Sequence, residues 1–239
     1  MSLFDESEVE AGHKRLASKV LVEMEVLIAS TDLIRRALTA NDLARTDPEE
    51  HADYLAASQL AYRAVNGVGA ATRLLDCGYF IQATAICRDI AEVGMLALLF
   101  SEKPDELRRW RKIPRDERHR KYGRSKLGRG IMAQDRYSYF NTYFNTFSEF
   151  GTHPSAESIL AHHDGRQFQI GPHVNERLYV TIHTDLAHLM RRITEVFDQV
   201  YSTMDGIDLT TELPSEIARF QNAVEKLALK KDQASTVVA

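Results

Sequence analysis

Glycine, proline and cysteine are scarce in this sequence of 239 residues, which contains 12, 6 and 2 of them respectively. So few glycines and prolines leave little turn chemistry for a many-stranded sheet, and they favour an all-α fold. Cys77 and Cys87 are too few for a disulfide framework and too far apart for a C-x-x-C motif. We therefore expect two reduced thiols, as in a cytoplasmic protein.

Long apolar runs are also absent. Residues 79–100 are the most apolar stretch, and Arg88, Asp89 and Glu92 interrupt it before it reaches the length of a membrane span. Residues 1–10 are acidic rather than apolar, so we expect no signal peptide. These features predict a cytoplasmic protein with no membrane partner.

The sequence does not contain the common motifs for cofactors. Neither G-x-x-x-x-G-K-[ST] nor G-x-G-x-x-G is present, and G-x-S-x-G and H-E-x-x-H are missing too. The nearest approach to a metal-ligand pattern is His162, His163 and Asp164, with Asp185 and His188 as a second pair. Neither fits the ligand spacing of a zinc site, so we expect no metal and no cofactor.

We predict one domain, residues 1–239, built as a bundle of six to eight helices. Residues 11–130 would supply the N-terminal helices and a basic segment. Residues 131–239 would supply an aromatic helix, a hairpin and the C-terminal helices. Asp164-Gly165 lies between two short runs, a pattern typical of a tight turn, so we expect one short β-hairpin there.

Helix positions follow from the spacing of apolar residues and from capping signals. Apolar residues three and four apart predict long helices over 13–40, from about 175, and from about 214. Asp47, Pro48 and Glu50 form a capping box that predicts another helix start, and Gly78 is suited to end that helix.

Residues 79–100 are apolar on nearly every side, which predicts a helix buried at the centre of the bundle. Residues 137–150 contain seven aromatic side chains. Their spacing is helical, because Tyr137, Phe140 and Phe144 are three and four residues apart. We expect this aromatic helix to form core or a dimer interface.

Arg88 and Glu92 are four residues apart on the central helix and therefore share one face. Charges in apolar surroundings need partners, because an unpaired buried charge costs several kcal/mol, on the order of 3–5. One interpretation is a polar pocket in which Arg88 binds an anion and Glu92 orients Arg88 or acts as a base. The alternative is a structural ion pair that fixes helix register.

His153 follows the aromatic helix and precedes Pro154. A histidine held in this way could exchange a proton near neutral pH, which makes it a third candidate catalytic residue beside Arg88 and Glu92. The alternative is a loop histidine that only hydrogen-bonds to the backbone.

Net charge is −4, but residues 108–129 carry 11 basic and 2 acidic side chains, a local charge of +9. This basic segment could neutralise phosphates, with Trp110 and Tyr122 stacking on bases. Its candidate ligand-binding residues are Arg108, Arg109, Trp110, Arg111 and Lys112. The alternative is a solvated surface whose charges pair with acidic helices, above all through Glu49, Glu50 and the N-terminus.

One set of residues carries a family resemblance. It consists of Leu75, Gly78, Ala83, Arg88, Glu92, Phe147-Ser148 and His153-Pro154-Ser155. The pattern resembles a group of uncharacterised bacterial helical proteins that is distantly similar to the HEPN superfamily of helical ribonucleases and of toxin or defence components. The resemblance covers about residues 50–200. It implies that Arg88, Glu92 and His153 converge on one site and that the protein is a homodimer.

HEPN nucleases carry an R-x4–6-H motif near the start of a late helix. Arg177 and His183 have this spacing, and so do two other arginine–histidine pairs. With 9 histidines in the chain, chance placement accounts for matches of this kind. In addition, no Asn or Asp directly follows Arg177, where the family often has one.

Two functions remain open from the sequence. The first is a helical protein with a polar pocket that binds RNA or another phosphate ligand in a HEPN-like role, with ribonuclease as the reaction that the resemblance implies. The second is a non-catalytic structural or interaction protein in which Arg88 and Glu92 hold the core together.

Overall fold

The computed structural model describes residues 4–40, 47–123, 135–151, 169, 171–205 and 209–237. In these residues every regular element is a helix. The elements are α1 (Ser7–Leu16), α2 (Leu21–Ala40), α3 (Pro48–Asp76), α4 (Phe80–Glu102), α5 (Pro104–Lys112), α6 (Arg115–Tyr122), α7 (Asp135–Gly151), α8 (Glu176–Asp205), α9 (Leu209–Glu212) and α10 (Pro214–Val237).

The all-α prediction is confirmed, and one detail of it changes. No strand is seen in the described part of the chain, and the β-hairpin predicted at Asp164-Gly165 falls in residues 152–168, which lie outside the described residues. The helix predicted over 13–40 begins earlier and is interrupted, because a 3₁₀ turn, Ala17–Val20, separates α1 from α2. Within the described ranges, no helix is both long and apolar enough to cross a membrane.

Both ends of α3 form as the capping residues predict. Asp47 Oδ1 accepts hydrogen bonds from the backbone N–H of Glu49 at 2.7 Å and of Glu50 at 3.1 Å. At the other end Gly78 has a φ of +80°, a conformation that side chains rarely adopt. A Cβ at Gly78 would also lie 2.5 Å from the carbonyl oxygen of His173, so only glycine fits here.

The central helix α4 packs against α3, α7 and α8. Along α4 the side chains of Cys87, Ile90 and Met95 are fully buried. The aromatic helix α7 was expected to form core or a dimer interface, and it forms core. Four of its residues are at most 1% exposed, namely Tyr137, Phe140, Phe144 and Phe147. The two helices approach closely at Gly94, where a Cβ would lie 2.4 Å from the Phe140 ring.

Two histidines are buried where α1 meets α8. Nδ1 of His13 donates to the carbonyl oxygen of Asp76 at 2.9 Å, and Nδ1 of His183 donates to that of Tyr179 at 2.8 Å. The Nε2 atoms of both rings are buried with no hydrogen-bond partner among the residues that the structure describes, so both imidazoles are neutral in the fold. Burial lowers the pKa of His13 and of His183, and it outweighs the opposing effect of the Asp76 carboxylate.

These two histidines make stability depend on pH. Below their ordinary pKa of about 6.5 the unfolded chain takes up protons that the folded chain does not. We therefore expect the free energy of unfolding to fall between pH 7.5 and 5.5, by at most about 1.4 kcal/mol for each histidine. Urea denaturation at the two pH values measures this loss.

The variant His183→Gln provides the comparison. Its stability should change less with pH than that of the wild type, because one imidazole with a lowered pKa is gone. His13 and His188, whose pKa values burial also lowers, remain in both proteins. The partly buried Asp185 has its pKa raised to about 6, so it acts in the opposite direction, but equally in both proteins. An unchanged pH dependence in His183→Gln would show that His183 is not the group involved.

Candidate functional site

Arg88 and Glu92 share the α4 helix but do not pair with each other. Both are half-buried rather than sealed in the core, and no ion pair joins them in the described structure. Arg88 turns toward α7, where its Nε donates to Ser148 Oγ at 3.1 Å and its guanidinium lies 4.4 Å from the Phe144 ring centroid. The structural ion pair, the alternative interpretation of these two residues, is therefore not formed in the described structure, because α4 is less completely covered along this face than its composition suggests.

Glu92 faces a groove of about 420 Å³, which we call the α4–α6 groove. It lies between α3, α4, α5 and α6, and Arg88 is not part of it. Its lining residues are Gln59, Leu60, Arg63, Asp89, Glu92, Val93, Leu96, Trp110, Arg115, Arg118, His119, Tyr122 and Gly123.

The α4 wall of the groove is acidic. Asp89 on this wall is neutralised across the groove by Arg63, whose Nε donates to Asp89 Oδ2 at 2.7 Å and whose Nη2 forms a second bond. This hydrogen bond is the main reason why the pKa of Arg63 is raised, and Glu92 contributes a smaller electrostatic part. Glu92 itself has no hydrogen-bond or ion-pair partner among the residues that the structure describes.

The α6 wall is basic, and its Arg118 side chain makes several contacts. Its guanidinium donates to three backbone carbonyl oxygens, those of Trp110 at 2.9 Å, Ile113 at 3.2 Å and Arg111 at 3.3 Å. It also stacks on Trp110, 4.9 Å from the ring centroid. Arg118 thus carries a fixed positive charge that, in the described residues, no carboxylate neutralises.

Arg115 and His119 extend this basic wall. Both side chains are exposed, and neither has a hydrogen-bond or ion-pair partner in the described ranges. Tyr122 closes the wall, since its hydroxyl donates to Glu106 Oε2 at 2.5 Å. Burial and this hydrogen bond raise the pKa of Tyr122, so it remains a neutral phenol.

Most of the predicted ligand-binding residues on α5 are engaged with acidic partners. Asp53, whose side chain is 9% exposed, accepts from Arg108 Nε at 2.8 Å and from Arg111 Nε at 2.9 Å. Glu49 binds Arg111 at 2.5 Å and Lys112 at 2.7 Å. For these residues the alternative interpretation holds, in which the basic segment pairs with acidic helices.

Arg109 and Trp110 complete the predicted set. Arg109 binds Glu106 one turn earlier at 2.5 Å, so it is also paired. Trp110 lines the groove under Arg118 rather than presenting a free ring for stacking. Of the predicted residues, the groove therefore brings together Glu92, Trp110 and Tyr122.

The convergence of Arg88, Glu92 and His153 stays a prediction for His153, which lies outside the described residues. The R-x5-H spacing does not form a site. Arg177 is exposed, whereas His183 is 0% exposed and has its Nδ1 bound to the carbonyl oxygen of Tyr179. An imidazole sealed in the core cannot reach an RNA backbone.

The fold and the groove define the chain as an all-α bundle with a bipolar surface groove. The chain matches no protein-family model, no curated protein and no solved structure. The HEPN resemblance and the homodimer that it implies therefore remain predictions.

Two features are barely indicated by the sequence. Arg63 lies on α3, 26 residues before Asp89 in the sequence, and the two pair across the groove. The spacing of neighbouring residues therefore does not reveal this ion pair. Asp185 stood out only as a weak metal candidate beside His188, yet it lies in an apolar cavity between α4, α7 and α8. An aspartate within the apolar stripe of a long amphipathic helix is the signal that could have identified it.

Asp53 holds α5 against α3, and its loss should destabilise the fold. Asp53→Asn keeps the size of the side chain but removes the charge that two guanidinium groups share. We expect it to lower the free energy of unfolding by about 2 kcal/mol, because charged hydrogen bonds contribute roughly 1.5–3 and Arg108 is partly solvated. Urea denaturation measures this. Asp116→Asn, an exposed aspartate on α6, is the matched control and should change little.

Arg88 should act as a packing residue rather than as half of an ion pair. Arg88→Met retains the apolar stem but loses the hydrogen bond to Ser148 and the contact with Phe144. We expect a loss of about 1–2 kcal/mol. In a double-mutant cycle with Glu92→Gln, the two losses should add within about 0.5 kcal/mol. A larger coupling energy would mean that the two side chains do interact.

Proposed function

We propose that this protein is a binding module whose α4–α6 groove takes a small phosphate-bearing ligand of about the size of one nucleotide. The phosphate binds at the basic wall, to Arg118 and Arg115. The other end of the ligand donates hydrogen bonds to Glu92 on the acidic wall. No reaction is assigned to the site.

The fixed position of the Arg118 guanidinium is the observation that supports this proposal most strongly. Three carbonyl oxygens and the Trp110 ring fix its guanidinium, so little side-chain entropy is lost when an anion binds. These bonds use Nε and Nη2 and leave Nη1 available. A preorganised guanidinium without a carboxylate partner is well suited to bind a phosphate oxygen.

The size and polarity of the groove support the same ligand class. A volume of about 420 Å³ lies in the range of small-molecule sites, roughly 300–1,000 Å³. Its floor includes the apolar side chains of Leu60, Val93 and Leu96. A nucleotide combines a planar apolar surface, hydroxyl or amino donors and an anionic phosphate, which match the floor and the two walls.

A long phosphate footprint on the basic segment is not what we propose. Arg108, Arg109, Arg111 and Lys112 are each bound to a carboxylate. Breaking these ion pairs to bind phosphate would lower the stability of the fold. An RNA strand would accordingly be bound through one nucleotide in the groove, and log Kd should vary with log salt with a slope of only about 1–2.

A HEPN-like defence or toxin role and a homodimer can accompany this binding function, but neither is needed for it. Ligand binding uses α4 and α6 and does not depend on the Arg177–His183 spacing, whose histidine is buried.

Arg115→Gln tests the proposal directly. Arg115 is exposed and unpaired in the described residues, so its loss should leave the fold unchanged. We expect it to weaken binding of ribonucleoside monophosphates at least about tenfold, because one charged hydrogen bond, worth roughly 1.5–3 kcal/mol, is lost. Isothermal titration calorimetry measures this. Arg120→Gln, an exposed arginine on the same helix outside the groove, should bind as the wild type does.

Further titrations distinguish the sources of the phosphate. Uncharged nucleosides should bind more weakly than their monophosphates. A short single-stranded RNA should bind with about the affinity of a monophosphate, apart from a small gain in affinity at low salt. Absence of monophosphate binding to the wild type, or an equal affinity in Arg115→Gln, would refute the proposal.

A further inference from the structure

A small cavity lies between α4, α7 and α8, on a different part of the bundle from the α4–α6 groove. Its volume is about 90 Å³. The walls are mainly apolar and include Phe80 of α4, Phe147 and Phe150 of α7, and Ile182 of α8. Asp185 of α8 is the only titratable side chain that lines it in the described part of the chain.

The carboxylate of Asp185 has no partner there. No hydrogen bond or ion pair of this side chain is formed with any described residue, although most buried charges in proteins are paired. Burial alone raises the pKa of Asp185 to about 6. At neutral pH the cavity therefore holds a negative charge that no described residue compensates.

We propose that this cavity binds a small organic cation, with the ammonium group on the Asp185 carboxylate and the apolar part against the phenylalanine rings. This site is separate from the α4–α6 groove and does not depend on the function proposed for it.

The chemistry of the cavity selects for this class of ligand. An anion would meet the Asp185 charge, and none of the described lining residues is basic. A neutral apolar molecule would leave the carboxylate without a partner. An alkylammonium supplies the opposite charge, and aromatic rings add a favourable cation–π term. A cavity of about 150 Å³ is known to hold benzene, so 90 Å³ suits a cation of only a few heavy atoms.

Nuclear magnetic resonance titration of the full chain with n-propylammonium tests the proposal. We expect saturable shifts centred on the backbone amides of Thr84, Phe147 and Ile182, which flank the cavity. With 1-propanol, the neutral molecule of similar shape, binding should be at least about tenfold weaker, as expected when a charged contact is lost.

Asp185→Asn removes the charge and keeps the shape of the side chain. It should weaken n-propylammonium binding at least about tenfold while leaving the weak binding of 1-propanol unchanged. Its melting temperature should not fall, because no native contact of the carboxylate is lost. Asp116→Asn removes one exposed negative charge elsewhere and should bind as the wild type does.

Acidification provides an independent readout. A carboxyl group with a pKa of about 6 is ionised in only about one molecule in eleven at pH 5, so the affinity should fall about tenfold between pH 8 and pH 5. Circular dichroism at pH 5 verifies that the chain is folded.

Three results would overturn the proposal. They are shifts of equal size with 1-propanol, unchanged affinity in Asp185→Asn, and the absence of any saturable shift around the cavity in the wild type.

Discussion

The packing of α4 on three sides is the constraint on which the rest of the structure depends. Its fully buried residues, such as Ile90 and Met95, are covered by α3, α7 and α8. The close approach of α7 at Gly94 brings an aromatic stripe into the core. Burial of large aromatic side chains supplies much of the favourable free energy of such a bundle. Because α4 is held at the centre of the bundle, the partly buried side of this helix fixes the positions of Arg88 and Glu92.

The basic segment shows how the bundle uses its uneven charge. On α5 the cations stabilise the fold, since Asp53 and Glu49 draw Arg108, Arg111 and Lys112 onto α3. On α6, Lys121 binds Glu106 at 3.4 Å, but Arg118 has no carboxylate partner in the described residues and is fixed by backbone carbonyls instead. The α5 half of the segment thus stabilises the fold, and the α6 half leaves positive charge beside the groove. The number of charges along the sequence could not distinguish these two halves, because it does not show where the acidic partners lie in the folded bundle.

Uncompensated charge is also what marks the second cavity. Asp185 lies partly buried among aromatic rings without a partner in the described residues, whereas Glu23, which is fully buried, binds Lys230 of α10 at 2.7 Å. The contrast indicates that burial alone does not make a carboxylate functional. The proposed sites are those where the fold holds a charge in place and leaves it unneutralised.

The sequence by itself determined the all-α class, the start of α3 at Asp47, its end at Gly78 and the apolar character of α4 and α7. These features depend on local backbone preferences and on a helical period, which neighbouring residues specify. Only the tertiary structure decided that Arg88 contacts α7 and not Glu92, and that Arg63 crosses to Asp89. Those choices depend on which helix lies beside which, and distances between residues far apart in the chain are fixed only when the bundle packs.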